Sequence, residues 1–149
     1  MTTTVHRIAS TDPVLVQLIE SSRVPAGFPS PAADFDVRPI ELRDLLTDHP
    51  EATFFLRVSG RSMEGAGIFD GDVVVVDRSL DAQHGDVVVA ILDGELTVKR
   101  LHQRDGVLRL EAHGSEGPSF EPQEGSEWRL WGVVVTSLRP HRAGRLRSL

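Results

Sequence analysis

Lysine occurs once in this chain: of the 16 basic residues, 15 are arginine and one is Lys99. Arginine keeps its proton in any protein environment, whereas a lysine taken out of water gives its own up more readily. A neutral amine is a base, and a base beside a hydroxyl turns that hydroxyl into a nucleophile. The candidate hydroxyl is Ser62, in the run Gly60-Arg61-Ser62-Met63-Glu64-Gly65-Ala66-Gly67-Ile68-Phe69-Asp70-Gly71-Asp72. Glycines at 60, 65, 67 and 71 permit a tight path on which a hydroxyl and free amides converge, the arrangement that acyl transfer requires. Taken singly, both residues also have ordinary readings. Ser62 would cap the turn that follows it. Lys99 would be a surface lysine with its stem along the protein and its amine in water, the last of its kind in an arginine-biased chain.

Other chemistry is poorly represented. The six histidines, His6, His49, His84, His102, His113 and His141, have no metal-ligand spacing. Asp70-Gly71-Asp72 lacks the rest of a twelve-residue calcium loop, and no phosphate-cradling glycine motif is present. With no cysteine there is no disulfide scaffold, thiol nucleophile or thiolate zinc site. The residues call for no cofactor and no metal.

The elements that must carry Ser62 and Lys99 are strands. Short, valine-rich runs cover 54–59, 72–77, 86–92, 95–101, 107–112 and 129–138, separated by turn residues. Asp93-Gly94 between two of them is a type I′ hairpin signal. The unbroken valines at 73–76 and 87–89 predict strands covered on both faces, as in a closed or folded sheet. Lys99 then shares a face with Thr97 and Leu101, opposite Leu96 and Val98. Before the strands, Asp12 and Pro13 open a candidate helix with Val14, Leu15, Leu18 and Ile19 on one face, too short to stand alone. A second helix is expected over 40–48. Between them Pro25, Pro29 and Pro31 mark an extended linker in which Ala26-Gly27 is the least hindered peptide bond. The expected fold is mostly β: one compact domain of short, bent strands with a short helix and a detachable N-terminal arm.

The length of 149 residues, 40% of them hydrophobic, suits one ordinary domain. The longest apolar run is the six residues 87–92, against about 20 for a spanning helix. No apolar leader with a cleavage site opens the chain, so a cytoplasmic location is expected. Residues 27–138 hold ten basic against twenty acidic side chains, while 139–149 hold Arg139, Arg142, Arg145 and Arg147 with no acid. An acidic body is repelled by phosphate backbones, which argues against direct duplex binding. The basic tail reads as a solvated end.

Together the pieces resemble the LexA/UmuD family of self-cleaving serine peptidases. The resemblance runs over roughly 24–138. It is carried by Val24-Pro25-Ala26-Gly27-Phe28-Pro29-Ser30-Pro31-Ala32-Ala33-Asp34, by Ser59-Gly60-Arg61-Ser62-Met63, by Asp70-Gly71-Asp72-Val73-Val74-Val75-Val76-Asp77, by His84-Gly85-Asp86, and by Asp93-Gly94-Glu95-Leu96-Thr97-Val98-Lys99-Arg100. The Gly-Phe-Pro-Ser-Pro-Ala-Ala-Asp string and Thr-Val-Lys are similar to the UmuD-like branch. One departure is Ala26, where that branch often has cysteine and the repressors have alanine.

The resemblance implies Ser62 as nucleophile, Lys99 as general base, the amides of Ser62 and Met63 as oxyanion hole, and Ala26-Gly27 as the bond cut. It implies an arm, 1–26, removed by self-cleavage, a peptidase-type β domain, 27–138, and the tail, 139–149. It also implies a homodimer, stimulation by the RecA–single-stranded-DNA filament after DNA damage, and service as accessory subunit of an error-prone, Y-family (UmuC-like) translesion polymerase. A repressor of this family needs a DNA-reading module of about 40 residues upstream of the cut, and 26 precede it here. Signal peptidases, with a similar Ser/Lys pair, need a membrane anchor. The alternative from another class is a non-cleaving dimeric scaffold that binds polymerase or RecA. Arginine at 99 or a lost hydroxyl at 62 would have favoured it.

Overall fold

A computed structural model describes residues 5–7, 12–19, 27, 37–114 and 117–146. The chain divides into two compact units, Ser10–Asp48 and the combination of Met1–Ala9 with His49–Leu149. Nine strands are present among the described residues: β1 (Val5–Arg7), β2 (Leu15–Ile19), β3 (Val37–Glu41), β4 (Thr53–Arg57), β5 (Val73–Asp77), β6 (Val87–Leu92), β7 (Glu95–Arg104), β8 (Val107–Glu111) and β9 (Trp128–Leu138). The mostly-β expectation holds, and among the described residues helix is confined to short 3-10 turns.

The larger unit is one antiparallel sheet in the order β1-β4-β5-β9-β6-β7-β8. The valine runs behave as their lack of alternation requires. Val74, Val75 and Val76 on β5 and Val88, Val89 and Ala90 on β6 have no solvent exposure. Successive residues of these strands feed opposite faces, and two cores result. Val74, Val76 and Val89 join Leu56, Val58, Met63 and Ile68, while Val88 and Ala90 join Leu101 and Leu110. The strand β9 carries two irregularities. Its register slips against β5 between Val75 and Val76, and against β6 between Val89 and Ala90. An extra residue on one strand of a pair sharpens bend and twist locally. Asp93 and Gly94 make the two-residue hairpin between β6 and β7, with φ of 49° and 82°, as a type I′ turn demands. Asp105 and Gly106 repeat it between β7 and β8 with φ of 55° and 75°. Lengthened by that second hairpin, β7 runs three residues past the expected end.

The smaller unit corrects the helix expected from Asp12. Residues Leu15–Ile19 form β2, paired antiparallel with β3 from Leu15↔Glu41 to Ile19↔Val37. A two-turn helix is marginal alone, and Val14, Val16 and Ile19 are β-branched; a partner strand offers those amides a better set of acceptors. The second expected helix is also revised. Its first residues belong to β3, and only Leu42–Leu45 turn, as a 3-10 segment. The Glu41 carboxylate holds that corner, accepting from the Val14 and Arg43 amides and from Arg43 Nε at 2.6 Å. Of the proline-rich linker only Gly27 is described, and it is exposed.

Candidate active site

β4 hands the chain to the Ser62 loop, and β5 receives it back. The crossing is closed by Val58 N donating to Asp72 O (2.8 Å) and Gly71 N to Val58 O (2.9 Å). Inside it the Asp70 carboxylate accepts from Gly60 N at 2.7 Å. Met63 is 2% exposed and anchors the loop in the first core, and its carbonyl accepts from the amides of Ala66 and Ile68. The turn Glu64–Ala66 starts at Met63 with no side-chain cap, so the Ser62 hydroxyl is not spent on capping it. Among the described residues the amides of Ser62 and Met63 have no acceptor.

Lys99 sits mid-strand on β7, opposite Val88 of β6. It is 8% exposed, which rules out the surface reading. Burial holds its ammonium pKa below the usual 10.5, and among the described residues no carboxylate compensates.

Ser62 and Lys99 both approach Gly117. A Cβ built on Gly117 would lie 2.9 Å from Ser62 Cβ and 3.9 Å from Lys99 Nζ, and Gly117 has a φ of +109°. Glycine is therefore required twice over, for conformation and for space. His113, ahead of Gly117 in the chain, pairs with the loop: His113 N donates to Ser62 O at 2.7 Å, and Gly65 N donates back to His113 O. A Cβ on Gly114 would come within 2.5 Å of Arg61 O. Sequence reasoning missed this segment. Its signal was two glycines three residues apart after a strand, which by itself says only loop.

A cleft of about 480 Å³ opens beside Ser62, between the end of β4 and the start of β7. Its walls are Leu56, Val58, Met63, Val89, Leu96 and Val98, with Arg57, Ser59, Gly94, Glu95 and Thr97 adding polar rim. Strand residues of both β4 and β7 contribute to its lining. Of the expected site residues, Ser62 and Met63 line this cleft, while Lys99 lies outside its lining and approaches Ser62 only at Gly117. Ala26 lies outside the described residues, and Gly27 belongs to the smaller unit.

The site thus combines a buried amine, a nearby serine, two amides with no acceptor among the described residues and an adjoining cleft. The model for peptidase S24-like proteins matches residues 17–135. The chain belongs to the peptidase S24-like family. MucA of Salmonella typhimurium is 44% identical over 119 residues, covering 80% of this chain and 82% of MucA. ImpA of Escherichia coli is 43% identical over 149 residues, covering 99% of this chain and all of ImpA. The LexA repressor of Syntrophotalea carbinolica is 42% identical over 120 residues, or 75% of this chain and 58% of the repressor. Within the S24-like family, which comprises self-cleaving serine peptidases, the chain is thus UmuD-like, and its LexA likeness covers only part of the repressor. No helix among the described residues of this S24-like chain is long and apolar enough to cross a membrane.

Proposed function

We propose that the protein is a self-cleaving serine peptidase that cuts its own Ala26-Gly27 bond with Ser62 and Lys99. The observation that supports the reading is the burial of the only lysine, near Ser62 and with no carboxylate partner among the described residues. Neutral Lys99 Nζ takes the Ser62 hydroxyl proton as Oγ bonds to the Ala26 carbonyl carbon. The negative oxygen that forms is held by the amides of Ser62 and Met63. The proton then passes to the Gly27 nitrogen as the C–N bond breaks, which frees residues 27–149 and leaves residues 1–26 esterified to Ser62. Water, deprotonated by Lys99, hydrolyses the ester. Tethering gives the arm a high effective concentration, so a site with few specific contacts suffices.

The rate of such a reaction follows how often the arm fills the cleft with Lys99 neutral, and a regulator need only shift that population. By family likeness the regulator is the RecA–single-stranded-DNA filament of the SOS response. The truncated homodimer is then a cytoplasmic accessory subunit of an error-prone, Y-family translesion polymerase, and cleavage switches its partners.

Intact-mass spectrometry of the purified protein at alkaline pH, beside Ser62→Ala, tests the reading. The expected result is a product beginning at Gly27 that is absent from the variant. Absence of that product from the wild type, with the RecA filament added as well, would overturn the peptidase assignment in favour of the non-cleaving scaffold.

A further inference from the structure

The last paired residues of β5 and β9 are Val73 and Leu138. One step beyond that pair, Asp72 and Arg139 face each other, the first closing the Ser62 loop and the second opening the basic tail. Asp72 is 3% exposed on its side chain, and both of its oxygens are used. Oδ1 accepts from Arg139 Nε at 2.9 Å, and Oδ2 accepts from Arg139 Nη2 at 2.7 Å and from Phe69 N at 2.8 Å. The same Nη2 reaches Gly67 O at 2.8 Å, and the guanidinium lies 3.8 Å from the centre of the Phe69 ring. One side chain therefore grips the loop at Gly67, Phe69 and Asp72. Its grip begins one residue from Ile68, whose amide bonds the carbonyl of Met63. Such a fork is specific to arginine, since a lysine amine is a point charge that cannot span the two carboxylate oxygens in plane.

We propose that Arg139 is a positioning residue for self-cleavage, fixing the returning half of the Ser62 loop so that the Ser62 hydroxyl and the Met63 amide keep their places. The proposal rests on the peptidase reading above. Arg139 touches neither the reacting atoms nor Lys99, so its loss changes the geometry of attack and not the basicity of the amine. The guanidinium's hydrogen bonds to Asp72, opposed by burial, hold that carboxyl below its ordinary range, consistent with a pair that stays ionised under cleavage conditions.

The experiment compares wild type, Arg139→Gln, Arg139→Lys and Asp72→Asn in the full chain. It records the self-cleavage rate against pH, thermal melting, and amide exchange at Gly60, Phe69 and Gly71. A misplaced attacking atom costs about ten- to a hundredfold in rate. That loss is expected for Arg139→Gln at a temperature where it remains folded, with the pH midpoint unchanged and faster exchange at the three amides. Arg139→Lys is expected to recover only part of the rate, and Arg139→Gln with Asp72→Asn to be no slower than the slower single variant. Wild-type cleavage by Arg139→Gln, a shifted pH midpoint, or a rate loss matching the unfolded fraction would each overturn the proposal alone. A wild type that never cleaves would instead overturn the peptidase reading, and the positioning role with it.

Discussion

Lys99 stands directly opposite Val88 in the β6–β7 ladder, so the one lysine of the chain is paired with a side chain that has no solvent exposure. The register between these strands is set by the Asp93-Gly94 turn, which begins five residues after Val88 and ends five before Lys99. The hairpin thus decides that this amine is buried, and burial decides its chemistry.

Burial of Lys99 lowers its pKa below 10.5, so self-cleavage is expected to rise with pH and level off before that value. The unfolded chain holds this proton more tightly than the folded one. Stability linked to Lys99 therefore increases with pH from the depressed folded value up to about 10.5, and below that window the buried charge is a net cost. Lys99→Met is expected to melt at a higher temperature than wild type at pH 7 and to cleave not at all. Lys99→Arg, which keeps the charge and cannot act as a base, is expected to be inactive as well. Rates across pH with melting curves for the three proteins check this; full activity in Lys99→Arg would remove Lys99 as base.

Gly117 leaves no room for a side chain between Ser62 and Lys99. Gly117→Ala would place a methyl 2.9 Å from Ser62 Cβ at a φ of +109°. Forcing an L-residue into such a conformation costs about 1–3 kcal/mol. Loss of cleavage is expected to exceed what the lower stability explains, because the methyl also displaces Ser62. Cleavage measured well below the variant's melting temperature separates the two effects, and an unimpaired rate there would show that Gly117 is only structural.

What the sequence made legible follows from how local each signal is. The valine runs declared β5 and β6 because no polar residue interrupts them, and Asp93-Gly94 declared its hairpin because two positive φ values in succession admit few residues. The same chemistry stood at Asp105-Gly106 beside the strand expected over 107–112, but the polar residues His102, Gln103 and Arg104 hid the end of β7 and with it the hairpin. Asp12 to Ile19 gave a sound helix start in isolation, and the strand that overrules it lies at Val37–Glu41, beyond a proline-rich stretch. Ser62 and Lys99 were legible as residue types. Their junction at Gly117, and the tie from Arg139 to Asp72, depend on register across a folded sheet and have no local signature.

Asp77 is the second carboxylate of the sheet to be buried and fully engaged. It accepts from Ser79 N at 2.7 Å, Ser79 Oγ at 2.6 Å and His49 Nδ1 at 2.6 Å. Burial alone would raise its pKa, but the bonds from Ser79 and His49 outweigh it and hold the carboxyl below 3.8. Its stabilising contribution is present above about pH 4 and is lost as the pH falls through the lower folded value. Asp72, also held low, loses its contribution in the same direction. Asp77→Ala leaves the Ser79 amide without its acceptor and is expected to cost about 1–3 kcal/mol at pH 7. Its deficit relative to wild type should shrink below pH 4, where the wild-type carboxyl is itself being neutralised. Urea denaturation of both proteins at pH 7 and pH 3 measures this, and a deficit that stays constant would show that the charge on Asp77 contributes nothing to holding Ser79 and His49.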